Sequence, residues 1–273
     1  MRRLVNIRPG RGGKVFLGAA PLALVAIGYV VASAARQAEN PADKLLPPVE
    51  AMWSAWLRMS LEVDPVTGSI PLWADTAASL HRLVLGLGIS TGATLALGLV
   101  LGLLPVARAT LGPLVAAIAG IPPIAVLPVL FIALGLGETA KVALIVIGIT
   151  PFMVRDLASQ VGAIPEEQMV KAQTLGASTW QIALRLALPQ AMPKLLKGLR
   201  LSLGPAWVFL IAGEAIASDV GLGYRIFLVR RYLAMDVILP YVAWISLLAV
   251  LMGLLLSWIS RRFFPWDHTR GAE

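Results

Sequence analysis

Six apolar stretches, separated by segments in which prolines, glycines and charges gather, set the rhythm of the chain. They are Val15–Ala35, Leu83–Leu104, Leu111–Leu134, Val142–Val154, Leu199–Ala217 and Val237–Ile259. A helix rises about 1.5 Å per residue, so roughly 20 apolar residues cross a hydrocarbon core about 30 Å thick. The fourth stretch is short, but Phe152 to Val161 lengthen it once Arg155 and Asp156 reach the headgroups. The pattern predicts an all-α polytopic membrane bundle of about six transmembrane helices. The first stretch follows a basic leader of Arg2, Arg3, Arg8, Arg11 and Lys14. Ala32-Ser33-Ala34 imitates a signal-peptidase site. A secretory apolar region is only about 7–15 residues long, however, so an uncleaved first helix is expected.

Between the first two stretches, Gln37–Leu72 is mostly polar. Within it Leu46-Pro47-Pro48 precedes Val49, Met52, Trp53, Trp56 and Leu57 at helical spacing. That predicts a short helix lying at the membrane interface, a depth that suits tryptophan. The expected organisation is a leader and first transmembrane helix (1–36), an extracytoplasmic segment with the interfacial helix (37–72), a membrane core (73–265) containing a cytoplasmic loop (155–194), and a short tail (266–273).

Composition narrows the function. Of 273 residues, 58% are hydrophobic and 14% charged, and mean hydropathy is +0.80. One soluble core cannot bury so much apolar surface, which excludes a water-soluble enzyme. Disorder needs the opposite balance. The net charge of +8 would suggest nucleic acid in a soluble protein. In a membrane protein it reflects Lys and Arg held in cytoplasmic loops. With six spans and a cytoplasmic N-terminus, fifteen of the 23 Lys and Arg fall inside and eight outside. Both termini are therefore expected in the cytoplasm, and no nucleic-acid partner is implied. There are no cysteines and only two histidines, His81 and His268, so cysteine chemistry is excluded and a histidine-rich metal site is not expected. No cofactor is implied. Gly10-Arg11-Gly12-Gly13-Lys14 fails the phosphate-loop spacing and runs into Val15, so the chain is not expected to bind ATP by itself. Gly86 and Gly88 are expected to serve close helix packing.

The inside loop from Arg155 to Lys194 carries the densest helix punctuation. Pro165 opens a helix, Glu166 and Glu167 complement its dipole, and Gly176 closes it. Ser178-Thr179-Trp180-Gln181 then forms a capping box, and the second helix is expected to stop before Pro189. Met169, Ala172 and Leu175 make an apolar stripe on the first helix. Such a hairpin either caps its own bundle or docks on a partner, and its capped, apolar tip favours docking.

These residues resemble the EAA loop of type I ABC importer permeases, with Glu-Ala-Ala, three residues, Gly, nine residues and Ile-x-Leu-Pro. Gly176 takes the glycine, Ala172 the second alanine, and Leu186, Leu188 and Pro189 the closing positions. Val170 and Lys171 replace the Glu and first Ala. Ala172 to Ser178, Gly198-Leu199-Arg200, Gly221-Leu222-Gly223-Tyr224, Ile121-Pro122-Pro123-Ile124-Ala125 and Gly135-Leu136-Gly137-Glu138-Thr139 together resemble the nitrate, sulfonate and taurine branch over about residues 70–265. The resemblance implies the permease subunit of an importer in a bacterial inner membrane. It would be a homodimeric pore served by two cytoplasmic ABC ATPase subunits and an extracytoplasmic substrate-binding protein. It would carry a small anion, with sulfonate or taurine first and nitrate or a related compound next. Ala172, Leu175, Gly176, Ala177, Ser178, Leu186, Leu188 and Pro189 are the implied ATPase-coupling residues.

Pro122, Pro123, Trp207 and Glu214 are the candidates for the translocation path or its gate. Adjacent prolines leave backbone carbonyls without helical donors, which is tolerated where backbone is buried in protein or lines a wet cavity. Pro122-Pro123 falls near the middle of the third expected span, where a kink and a pathway role are equally open. Glu214 is the only acid between Leu201 and Ser218. An intramembrane acid is costly and faces a bundle interior or cavity, so Glu214 either holds a gate or forms a fixed pair with Arg225 or Arg230. A self-sufficient channel or ion-coupled transporter is the rival reading. It would need several intramembrane charges and internal repeats, and the chain offers one clear acid and no convincing repeat.

Overall fold

The computed structural model describes residues 10–41 and 43–269. Arg2, Arg3 and Arg8 of the leader, and Arg270, lie outside them. The described chain is helical: α1 (Arg11–Glu39), α2 (Val49–Leu61), α3 (Pro71–Leu103), α4 (Pro105–Ala119), α5 (Pro123–Leu134), α6 (Glu138–Gly162), α7 (Glu166–Thr174), α8 (Thr179–Gln181), a π-helical stretch (Ile182–Ala187), α9 (Leu188–Ala217), α10 (Leu222–Arg230), α11 (Met235–Phe263) and α12 (Pro265–Thr269). Among the described residues, five helices are long and apolar enough to cross a membrane, or up to six crossings if the bent α4–α5 pair counts as one. The all-α membrane bundle is therefore observed.

Two compact units are distinguished, one running to Glu62 and including Val229–Val242, the other made of Val63–Leu228 and the residues from Ala243. In the first unit the connection between α1 and α2 is tied to α1 by short polar contacts. Tyr29 Oη donates to the Pro47 carbonyl at 2.7 Å, Ser33 Oγ to the Leu46 carbonyl at 2.9 Å, and Arg36 pairs with Asp43 at 2.8 Å. Side chains thus meet the Leu46 and Pro47 carbonyls, while the Pro48 carbonyl accepts the Met52 N–H at 3.2 Å as α2 begins. The helix expected around Trp53 forms as α2.

The second unit is built on α3, α6 and α9, whose shared core includes Leu83, Leu144, Ile145, Ile149, Leu157, Leu203 and Leu210. Gly86, Gly98 and Gly102 of α3 face Ile145, Leu157 and Val161 of α6 at a constant offset, which makes the two helices parallel. A methyl group at Gly86 would come within 2.8 Å of Ile145 Cγ2. Without a hydrophobic drive between helices in lipid, small residues allow the close approach that dispersion requires. Gly88 makes no such contact among the described residues, where nothing lies within 4 Å of the position its Cβ would take. Arg108 leaves the α3–α4 corner to donate to the Leu101 and Gly102 carbonyls at 3.0 and 2.5 Å, satisfying the end of α3.

Two expectations fail here. The third apolar stretch is no continuous span, since α4 and α5 meet at 95° around Pro122. At 15 and 12 residues neither piece crosses about 30 Å alone. Two consecutive residues without N–H groups stop one helix, and Pro123 starts the next at the position where proline is tolerated. Nor does the helix after the capping box stop before Pro189. Thr179–Ala217 is one run of 39 residues. The Leu188 N–H bonds to the Ala183 carbonyl, an i→i+5 step, and this wider turn accommodates the following proline.

Candidate coupling loop and buried charge network

The cytoplasmic-loop candidates occupy α7, the turn after it, and the start of the long helix. Pro165 precedes α7, whose first turn carries Glu166 and Glu167. Gly176 has φ +77°. Its N–H bonds to the Gln173 carbonyl at 2.9 Å and the Ala177 N–H to the Ala172 carbonyl at 3.0 Å. Those two bonds form a Schellman motif, which closes a helix with a left-handed residue that glycine adopts without penalty. One residue later the capping box is complete. Ser178 Oγ accepts the Gln181 N–H at 3.3 Å, and Gln181 Oε1 accepts the Ser178 N–H at 2.8 Å. A helix stop and a helix start sharing Gly176-Ala177-Ser178 leave the hairpin a single geometry.

That hairpin presents apolar surface. Leu175 is 79% exposed and Trp180 71%, while Met169 and Ala172 are half-buried. A hollow of about 310 Å³ is lined by Ala172, Leu175, Gly176, Ala177, Arg185 and Leu186 among others, and so gathers five of the eight coupling candidates. Ser178 does not line it. Leu188 and Pro189 sit farther on, at the first turn of α9, where Gln190 reaches back to Gln168 at 3.0 Å.

At the opposite ends of α6 and α9 lies a site of a different kind. Glu214, fully buried, accepts Ser79 Oγ at 2.8 and 3.0 Å, Arg82 Nη1 at 2.6 Å and the Gly223 N–H at 2.9 Å. Its partner is thus Arg82, and the pairing with Arg225 or Arg230 is overturned. Arg225 instead meets buried Asp75 at 2.8 Å, and Asp75 also accepts the Gly221 N–H at 2.9 Å. Arg82 forks onto Glu138 through Nε at 2.5 Å and Nη2 at 2.8 Å, and Lys141 joins the same carboxylate at 2.9 Å. Lys141 also reaches Ser218 Oγ at 3.2 Å.

Three carboxylates and three cations therefore balance. Buried charges persist only when paired and hydrogen-bonded, and here each acid has a cation. The turn Ser218–Gly221 is shaped by the cluster. Arg82 Nη1 holds the Val220 carbonyl at 2.8 Å, and the Leu222 N–H donates to Ser79 Oγ at 2.8 Å. Gly221 has φ +139°, and a Cβ there would lie 2.6 Å from the Glu214 carboxylate. Sequence reasoning found Glu214 and named Arg225 only as its possible partner, and it missed Asp75, Ser79, Arg82, Glu138, Lys141 and Ser218 as members of a site. A signal existed in Asp75, Ser79 and Arg82, which recur at i, i+4 and i+7 on one face just before an apolar run.

The remaining path candidates separate. Pro122 and Pro123 line a cavity of about 470 Å³ with Gly148, Pro151, Pro205 and Phe209. Trp207 is buried, and its indole Nε1 has no hydrogen-bond partner among the described residues. Neither Trp207 nor Glu214 lines that cavity.

Comparison with known proteins shows what the chain is similar to. Residues 88–266 match the family model described as binding-protein-dependent transport system inner membrane component. The taurine transport system permease protein TauC of Escherichia coli (strain K12) is 37% identical over 195 residues, 71% of each chain. The nitrate import permease protein NrtB of Leptolyngbya laminosa is 26% identical over 80% of this chain and 78% of that one. The bicarbonate transport system permease protein CmpB of Synechococcus elongatus is 29% identical over 70% and 69%. Among solved structures, an inward-facing form of the MetNI methionine ABC transporter superposes with a TM-score of 0.62. It is 21% identical and covers 70% of this chain and 95% of that chain, a likeness of fold.

Proposed function

The chain belongs to the binding-protein-dependent transport system inner membrane components, and from that premise we propose that it imports a small sulfonate, taurine first, through a pore made of two copies of itself. Membership makes it a multi-pass inner-membrane permease of an ABC importer, working with a separate ATPase and a substrate-binding protein. It is not itself the ATPase.

The single observation that carries the coupling role is the rigid hairpin with Leu175 held out to solvent. Ala172, Leu175, Gly176, Ala177 and Ser178, with Leu186, Leu188 and Pro189 behind them, dock on the ATPase. Because the second arm of the hairpin is the start of a continuous 39-residue helical run that includes the π-helical stretch, a push on Leu175 is carried into the membrane without a flexible joint. ATP-driven closure of two ATPase subunits draws the paired hairpins together and tilts α9 against α6. Pro122, Pro123 and Trp207 belong to the path that this tilting opens, and the Glu214 network holds its far end. With the bent α4–α5 pair as one crossing, both termini are cytoplasmic, Lys171 inside and Asp64 outside, a reading supported by the excess of Lys and Arg that it places inside.

The sulfonate assignment is supported by the 37% identity to the taurine permease. Proteoliposomes holding the chain with its ATPase and binding protein should take up taurine only with ATP and binding protein present. Uptake without either would sink the importer reading. Import of nitrate with exclusion of taurine would move the substrate to another anion.

A further inference from the structure

Within the charge network one member differs from the rest. The Glu138 side chain is 58% exposed, whereas Arg82 and Lys141 beneath it are 3% and 4% exposed. Among the described residues its side chain bonds only to those two cations. The cations, by contrast, are fixed without it. Arg82 Nη1 is held by Glu214 and the Val220 carbonyl, and Lys141 Nζ is also in reach of Ser218 Oγ. We propose that Arg82 and Lys141 form a binding site for a small oxyanion, which Glu138 occupies as an internal stand-in and vacates when such an anion arrives.

The donor set fits that chemistry. Two parallel N–H groups of one guanidinium and an ammonium converge on the two oxygens of one carboxylate. A sulfonate offers oxygens at similar spacing, and so does a planar anion of similar size. The site also sits at the first residue of α6, a 25-residue helix, where the positive end of the helix favours negative charge. Exchange keeps the network neutral, since one anion replaces another. Glu214 cannot play this part, being fully buried and held by Ser79, Arg82 and the Gly223 N–H. This inference rests on the importer reading, under which the site lies at the extracytoplasmic end and gives the substrate anion its first contact in the permease. The site can nevertheless fail while ATP-driven uptake stands.

The test uses the intact permease–ATPase complex in nanodiscs of zwitterionic lipid, with thermal unfolding read against ethanesulfonate concentration. Glu138→Gln removes the stand-in but leaves the cations. Ethanesulfonate should then stabilise the variant at a concentration at least tenfold lower than it does the wild type, with chloride at equal ionic strength without effect. Adding Lys141→Gln should reverse most of that gain. The proposal is overturned if E138Q responds to ethanesulfonate no more than to chloride. It is overturned equally if phosphatidylglycerol alone stabilises E138Q selectively, since the occupant would then be a lipid phosphate. Should E138Q fail to assemble, Glu138→Asp, which shortens the stand-in, decides by the same comparison.

Discussion

The hairpin around Gly176 and the network around Glu214 lie at opposite ends of the same helices and are held together by opposite means. Every bond that shapes the hairpin turn joins residues within five positions of one another, from Ala177 to Ala172 or from Ser178 to Gln181. The network joins residues more than 130 positions apart, such as Ser79 with Glu214 and Asp75 with Gly221. The hairpin exposes Leu175 and Trp180, while the network buries Asp75, Arg82 and Glu214. A local, exposed motif is free to meet another protein. A long-range, buried one fixes how helices stand against each other, and its loss is felt throughout the unit.

Damage to the two ends should therefore separate stability from transport. The largest effect is expected from Arg82→Ala, which leaves Glu214 buried without its cation. Breaking one side of a buried pair costs about 3–5 kcal/mol, enough to remove most folded protein. Membrane yield and thermal unfolding of the purified complex measure it, and a normal melting temperature would show that the network is not structural.

Next comes Gly221→Ala. Its Cβ would press on the Glu214 carboxylate in a backbone region that side chains rarely adopt, with strain of about 1–3 kcal/mol. The melting temperature should fall, by less than for Arg82→Ala.

Gly176→Val sharpens the contrast. Nothing lies within 4 Å of a Cβ at Gly176, yet its φ of +77° disfavours any side chain, and a β-branched one most. The spans should insert and fold normally, while substrate uptake and ATPase co-purification are lost. Retention of both would remove the hairpin from the coupling role.

Ser178→Ala should cost about 1 kcal/mol of local helix stability by deleting the cap, lowering uptake partially without changing membrane yield. The smallest effect belongs to Val170→Glu. Val170 is 49% exposed on α7, so restoring the acid of the EAA pattern there should leave uptake within about twofold of wild type, a surface change of roughly 0.5 kcal/mol or less.

Legibility follows the same divide. The spans could be read because about 20 apolar residues in a row have one physical use. The hairpin could be read because caps are chemistry between neighbours: Pro165, Gly176 and the Ser178–Gln181 box each act within a turn or two of helix. Even so, Pro189 misled. A proline ends an α-helix by local rules, and only the packed helix shows a π turn absorbing it. The middle of the third apolar stretch misled likewise, for two adjacent prolines state that a helix is interrupted but not that the chain turns by 95°.

By itself the sequence determined a helical membrane protein with six apolar stretches and a capped hairpin, because hydrophobic length, periodicity and capping are short-range properties. Only the tertiary structure decided what Glu214 does. Its nearest cations in the chain are Arg200, 14 residues before it, and Arg225, 11 residues after it, and along the chain Arg225 and Arg230 are both open as partners. Yet α3 lies alongside α9 with Ser79 and Arg82 at the level of Glu214, and Arg225 was left for Asp75. Charges in a low-dielectric interior pair by distance in space, to within a few ångströms, and chain separation carries no energy once the helices have packed.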